Sequence, residues 1–233
     1  MTLKNLTRYP LNSQGIARYL GELKCSNGRR NYYVGVRAFC NWLYERGYID
    51  SNPIRDVPVP KTRKRMLSAP SERQVEEIIE AAETITEKCL VSLAFSSGLR
   101  LSELARVDVR DVDMDSMTVR VVVKGNRETR AVFDERTAEY LNAQINGRVH
   151  GSVFGLKPRG IQDLMSRLSA KTGIQFSCHS FRRAFASNLR RKGLDISHIM
   201  VLGNWSGLEM VMKYSESVGF EESMRLYREV SGD

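Results

Sequence analysis

The sequence predicts a mainly α-helical protein with one small antiparallel β-hairpin, built as a small helical N-terminal unit followed by a larger α+β unit. Three observations predict it. Apolar residues recur at helical spacing through most of the 233 residues, and several of these stripes open on Ser or Asp and close on Gly. One stretch, Thr118-Val-Arg-Val-Val-Val123, changes to β-branched, strand-like composition. Four of the six prolines fall within residues 51–70, together with the basic run Lys61-Thr-Arg-Lys-Arg65. Proline blocks helix and favours extended backbone, so this stretch reads as a linker. The expected organisation is a helical unit over 1–60, a basic linker over 61–70 and a larger unit over 71–233 with a C-terminal tail helix.

In the first unit a short helix is expected over Gln14 to Leu23. A longer one is expected over Arg30 to Arg46, where Tyr33, Val36, Arg37, Cys40, Leu43 and Tyr44 follow helical spacing and Gly47 supplies the stop. Two helices make a thin core.

After the linker, Ser71-Glu-Arg-Gln74 has the form of a capping box, and Val75, Ile78, Ile79 and Ala82 mark a core-facing stripe. A second helix runs from about Glu87 to Phe95 and stops near Gly98; a third spans Leu101 to Val107. Lys124-Gly-Asn126 supplies turn residues after the 118–123 strand, and Arg130-Ala-Val-Phe133 can return as its partner. Helices resume with Ile161, Leu164, Met165 and Leu168, then Ser180 to Lys192 ending at Gly193. Asp195 can cap the next helix, with Ile196, Ile199 and Met200 inward. The tail places Phe220, Met224, Tyr227 and Val230 on one helical stripe, suited to packing on a neighbouring copy or on its own domain.

Composition narrows the class. Hydrophobic residues make up 42% and charged residues 27%, ordinary for a globular protein. No apolar run approaches a membrane span, and residues 1–10 lack the apolar core of a secretory signal, so a cytoplasmic protein is expected. Cys25, Cys40, Cys89 and Cys178 form no CxxC pair and read as buried or idle thiols rather than zinc ligands. Cys178 beside His179 is not a nucleophile pair, because adjacent residues point apart. The net charge of +9 attracts polyanions, nucleic acid first among them.

Four segments can carry chemistry. In Ser97-Gly-Leu-Arg-Leu-Ser-Glu-Leu104, Arg100 follows a glycine stop and can present its fork to two phosphate oxygens, with Glu103 placed to orient it. Taken singly, that pair is also an ordinary surface ion pair. In Val123-Lys-Gly-Asn-Arg-Glu-Thr-Arg130, Lys124 sits at a hairpin tip from which an ammonium can deliver a proton, although a lysine there more often only solubilises the turn, and Arg127 and Arg130 extend the positive charge. In His179-Ser-Phe-Arg-Arg-Ala-Phe-Ala-Ser187, His179 and Arg182 lie three apart at a helix start, where a phosphate can be held; taken alone, the pair is more often a surface helix start with an incidental histidine, and Arg183 adds charge. In Leu202-Gly-Asn-Trp-Ser-Gly-Leu-Glu-Met-Val-Met-Lys-Tyr214, Tyr214 stands nine positions after Trp205 and is unremarkable alone. The linker cations Lys61, Arg63, Lys64 and Arg65 can lie along phosphates or simply solvate a tether.

In this order the segments resemble the tyrosine recombinase (phage integrase-like) family. Its pattern is an arginine in Gly-Leu-Arg-x-x-Glu-Leu, a lysine in a β-hairpin, His-x-x-Arg, a His or Trp, and then the tyrosine. Arg100, Lys124, His179, Arg182, Trp205 and Tyr214 match those positions. Two positions depart from it. Asn204 stands after Leu202-Gly203 where many members have histidine, which moves the match one residue on to Trp205. Arg183 also stands where histidine is frequent.

The resemblance implies a site-specific recombinase or integrase. Tyr214 would attack a DNA phosphorus and form a 3′-phosphotyrosyl intermediate. The two arginines would stabilise the transition state, and Lys124 would act as general acid. His179 would be proton acceptor or phosphate donor, and Trp205 would pack on the phosphate or offer its indole N–H. No metal, ATP or other cofactor is implied. The implied partners are double-stranded DNA bearing a specific site and further copies of the chain, two on one site and four in synapsis, with no membrane. A type IB topoisomerase-like relaxing activity and a catalytically silent DNA-binding accessory protein are the competing expectations. A generic basic helical adaptor would leave the ordered motifs unexplained.

Overall fold

The computed structural model describes residues 3–23, 26–61, 69–123, 127–205, 207, 211–212, 224, 227–229 and 231. The chain divides into two compact units, Met1–Met66 and Leu67–Asp233.

The first unit packs α1 (Ser13–Glu22) and α2 (Ser26–Glu45) with two 3-10 turns, Leu3–Arg8 and Pro53–Asp56. Asn12 caps α1 by accepting from the Gly15 amide at 2.8 Å, and Gly47, at φ 71°, follows the end of α2. Ile16, Tyr19, Leu20 and Leu23 meet Tyr33, Val36 and Cys40 in the core. Residues 51–57, the start of the stretch read as a linker, fold onto the first unit instead of running as a tether. Asn52 caps the second 3-10 turn, Pro53 fits its first position, and Ile54 and Val57, three apart, are buried in the core. The two turns give this unit the extra apolar surface that two helices lack. Of the linker residues, Lys61 is exposed, while Arg63, Lys64 and Arg65 lie outside the described residues.

Charge is divided unevenly. Residues 1–66 hold thirteen Lys and Arg against four Asp and Glu, a net +9 that equals the excess of the whole chain; residues 67–233 balance at twenty-three of each sign.

The second unit is organised by α4 (Ile85–Ser97), which packs against α3 (Glu72–Ala81), α6 (Glu135–Ile145) and α8 (Cys178–Arg191). Cys89, Leu90, Val91, Leu93 and Ala94 are buried around its circumference, as a central helix requires. Ser71 and Thr84 close capping boxes at the starts of α3 and α4. Gly98, at φ 60°, ends α4, and an added Cβ there would stand 2.6 Å from Phe185. The third helix, α5, covers only Leu101–Leu104, shorter than its apolar stripe predicts. The chain leaves helix because Val107 and Val109 pair with 151–153: Val153 donates to the Val107 carbonyl and Val109 to the Gly151 carbonyl, both at 2.9 Å.

The sheet is antiparallel in the order β1-β2-β3: β1 Val112–Asp113, β2 Thr118–Val123 and β3 Arg127–Val132. The hairpin is present, with β3 starting earlier than predicted and the two-residue β1 added. Val119, Val121 and Val123 face the core. The helices α7 (Pro158–Thr172) and α9 (Ile196–Leu202) complete the unit. Ile161, Leu164, Met165 and Leu168 of α7 are buried, as their spacing predicts, and Asp195 caps α9. Among the described residues no helix is long and apolar enough to cross a membrane. Of the tail stripe, Phe220 and Val230 lie outside the described residues, and Tyr227 is exposed.

Candidate active site

Three chain segments meet where α4 ends, α8 begins and α9 ends. Arg182, on α8, is only 3% exposed. Its Nη1 donates to the Gly98 carbonyl at 2.5 Å and its Nη2 to the Gly203 carbonyl at 2.6 Å. Its guanidinium carbon lies 4.2 Å over the Trp205 ring, close enough for a cation–π contact. Trp205 is buried and stacks on Phe185 of α8, at 6.3 Å between ring centroids. Gly203 permits this packing: an added Cβ would stand 1.7 Å from Trp205 Cζ3. The result is a cation fixed in a dry place by two carbonyl dipoles and one ring face.

Arg100 is the N-cap residue of α5. Its Nη1 donates to Glu103 Oε1 at 2.8 Å, and its own amide donates to Glu103 Oε2 at 2.8 Å. Glu103 is buried, so one carboxylate orients both the backbone and the head of Arg100. Arg100 Nη2 also lies 3.5 Å from the Asn204 carbonyl oxygen, at the long end of hydrogen-bond range. The two arginines therefore bond to consecutive carbonyls, Gly203 and Asn204.

His179 stands in the first turn of α8, capped by Ser177, while Cys178 beside it is buried with its thiol pushed up to about 11 by burial. The shared face expected of His179 and Arg182 divides: the arginine runs inward and the imidazole stays exposed. Burial of its inner side still lowers the His179 pKa most, followed by the charges of Arg183, Arg182 and Arg100. His179 and Arg100 line a cleft of about 640 Å³ with Ser102, Arg159, Gln162 and Phe176. Arg183 is half-buried and donates to Ser180 Oγ at 3.1 Å.

The remaining candidates separate. Lys124 and Tyr214 lie outside the described residues. Arg127 and Arg130 do not form one charged line, because residues three apart on a strand face opposite ways. Arg127 pairs with Val123 on the core face at the hairpin end, and Arg130 pairs with Arg120 on the outer face.

Sequence reasoning marks Asn204 only as a departure from the family pattern and gives it no role. Its φ of 53° is left-handed, and its side chain joins β3: Oδ1 accepts from Thr129 Oγ1 at 2.7 Å and Nδ2 donates to the Arg130 carbonyl at 3.3 Å. Asn after Gly at a helix end is a recognisable stop signal, and that was the available clue. The partners of its amide, some 75 residues away, leave no local trace.

Comparison with known proteins identifies the family. Residues 71–218 match the phage integrase family model, and the chain belongs to that family, the tyrosine recombinases. A curated relative, tyrosine recombinase XerA of Saccharolobus solfataricus, is 28% identical over 191 residues, which cover 81% of this chain and 63% of the relative. Tyrosine recombinase XerC of Pelotomaculum thermopropionicum is 27% identical over 217 residues, covering 82% of this chain and 71% of the relative. The chain thus spans less than two thirds of the first relative's length. Among solved structures, a lambda integrase dimer bound to a COC′ core site aligns with a TM-score of 0.76 and 15% identity, covering 94% of this chain and 70% of that one.

Proposed function

We propose that this chain is a site-specific DNA recombinase that cleaves and rejoins strands through Tyr214. The observation that carries the reading is the convergence of Arg100 and Arg182 on the peptide Gly203–Asn204, ten residues before that tyrosine.

The Tyr214 hydroxyl attacks the scissile phosphorus, a P–O bond to tyrosine forms, and the bond to the 5′-oxygen breaks. A phenol of pKa near ~10 must lose its proton on the way, and His179 accepts it. Its depressed pKa keeps the imidazole neutral and able to do so. Charge gathering on the phosphorane oxygens is met by the two guanidiniums, whose anchors hold them in place before the reaction. Lys124 protonates the departing 5′-oxygen. Attack by that 5′-hydroxyl, or one from another strand, reverses the step, and the energy of the broken bond is kept in the phosphotyrosine.

A DNA substrate nicked near the cleavage site, so that the short product diffuses away, tests the reading. A covalent adduct should accumulate, and peptide mapping should place the 3′-phosphate on Tyr214. No adduct, or linkage at Tyr227, would overturn the assignment.

Two further results are expected. Cleavage should lose rate as pH falls through the lowered His179 pKa, where the imidazole becomes charged. Arg183→Ala removes a neighbouring positive charge, raises that pKa and should move the acid limb of the pH–rate profile upward; a downward or absent shift would separate His179 from proton transfer.

The second concerns binding. The first unit holds the excess charge, and α2 exposes Arg30 and Arg37 seven residues apart, on one face. Replacing both by Gln should flatten the slope of log affinity against log salt by about 1–2. An unchanged slope would place the phosphate contacts elsewhere. Recombination also implies two copies on one site and four in synapsis, with the tail after Tyr214 offered to a neighbour.

A further inference from the structure

Asn204 has no role in the chemistry above, yet its carbonyl faces Arg100 and its side chain bonds to strand β3. Its left-handed backbone, φ 53°, turns its carbonyl towards Arg100. Asparagine tolerates that conformation better than most residues. Both ends of its amide are engaged on β3, and the partners fix which end is which: a hydroxyl donates to Oδ1, and a carbonyl accepts from Nδ2. Aspartate could not make the second bond. Its neighbours Gly203 and Trp205 hold Arg182 by carbonyl and ring face. One tripeptide therefore ties two guanidiniums to one strand. Thr129 is the third residue of β3, and Lys124 precedes that strand by three positions in the sequence.

We propose that Asn204 is a positioning residue that pins strand β3 to the arginine pair, so that protonation of the leaving 5′-oxygen from the hairpin depends on it. This rests on the recombinase reading. A strand released at Thr129 and Arg130 keeps its pairing with β2 but loses its reference to the phosphate site. A displacement of about 1 Å is enough to cost a large factor in rate.

The test uses Asn204→Gly, which keeps the left-handed backbone and removes the amide, and Thr129→Val, which removes the hydroxyl at nearly constant shape. Single-turnover cleavage is measured on two DNAs that differ in one atom, oxygen or sulfur at the 5′-bridging position of the scissile phosphate. A thiol ionises with a pKa near ~8.5, so a thiolate departs without a general acid. Both variants should lose on the order of 10- to 100-fold on the oxygen substrate and less than about threefold on the sulfur substrate. Equal losses on both, or none on either, would overturn the positioning role while the recombinase reading stood on wild-type cleavage. Failure of the wild type to cleave both DNAs would overturn the recombinase reading and this inference with it.

Discussion

Arg182→Lys is expected to slow strand cleavage on the order of a thousandfold with DNA affinity nearly unchanged. Lysine keeps the charge but not the planar fork. An ammonium cannot reach the Gly98 and Gly203 carbonyls together while lying flat over Trp205. The cation would remain near the site without a fixed place in it, and catalysis by charge depends on the place. Arg182→Ala should do more. It leaves two buried carbonyls without their donor and empties the space beside Trp205, costing about 3–5 kcal/mol of stability. Single-turnover cleavage and thermal unfolding of the two variants separate these effects. If Arg182→Lys cleaves within tenfold of wild type, the guanidinium geometry is not what the reaction uses.

Gly203→Ala should be nearly as damaging, although it adds one methyl group. The backbone there has an ordinary φ of −86°, so no strain of conformation is involved. The conflict is packing alone: three indole carbons lie within 2.5 Å of the new Cβ. The ring is buried and cannot swing into solvent without losing Phe185 and Arg182. Overpacking of this kind costs about 1–3 kcal/mol, and displacement of the ring under Arg182 should reduce cleavage on the order of a hundredfold. Trp205→Ala combined with Gly203→Ala gives the check. Both substitutions spoil the same contact, so their stability losses should fall short of their sum. Additive losses would mean that Gly203 matters for some other reason.

The helices and their caps were legible because their signals are local. Ser71, Thr84 and Ser177 bond three residues ahead, and the α7 stripe repeats within one face. Ser71 and the α7 stripe were read as such. Glu103 and Arg100 were legible for the same reason, at i and i+3. What could not be read depends on distant chain. The early end of α5 comes from pairing with 151–153, and residues 53–57 fold because Ile54 and Val57 find a core made elsewhere. The burial of Arg182 rests on carbonyls 84 and 21 residues away. The His-x-x-Arg spacing marks Arg182 as a candidate, but its depth leaves no local trace. The opposed faces of Arg127 and Arg130 follow from strand periodicity once β3 starts at Arg127 rather than Arg130.

The charge division has an evolutionary consequence. With the whole net excess on residues 1–66 and a balanced remainder, the proposed function would draw its long-range attraction for a polyanion mainly from the first stretch and its bond exchange from the second. A lineage moving to a saltier cell can add or shed surface Lys and Arg in the first stretch. The proposed reaction centre, where Arg182 is held by two glycine carbonyls and an indole, need not register the change. Search and commitment can then drift independently, each under its own selection.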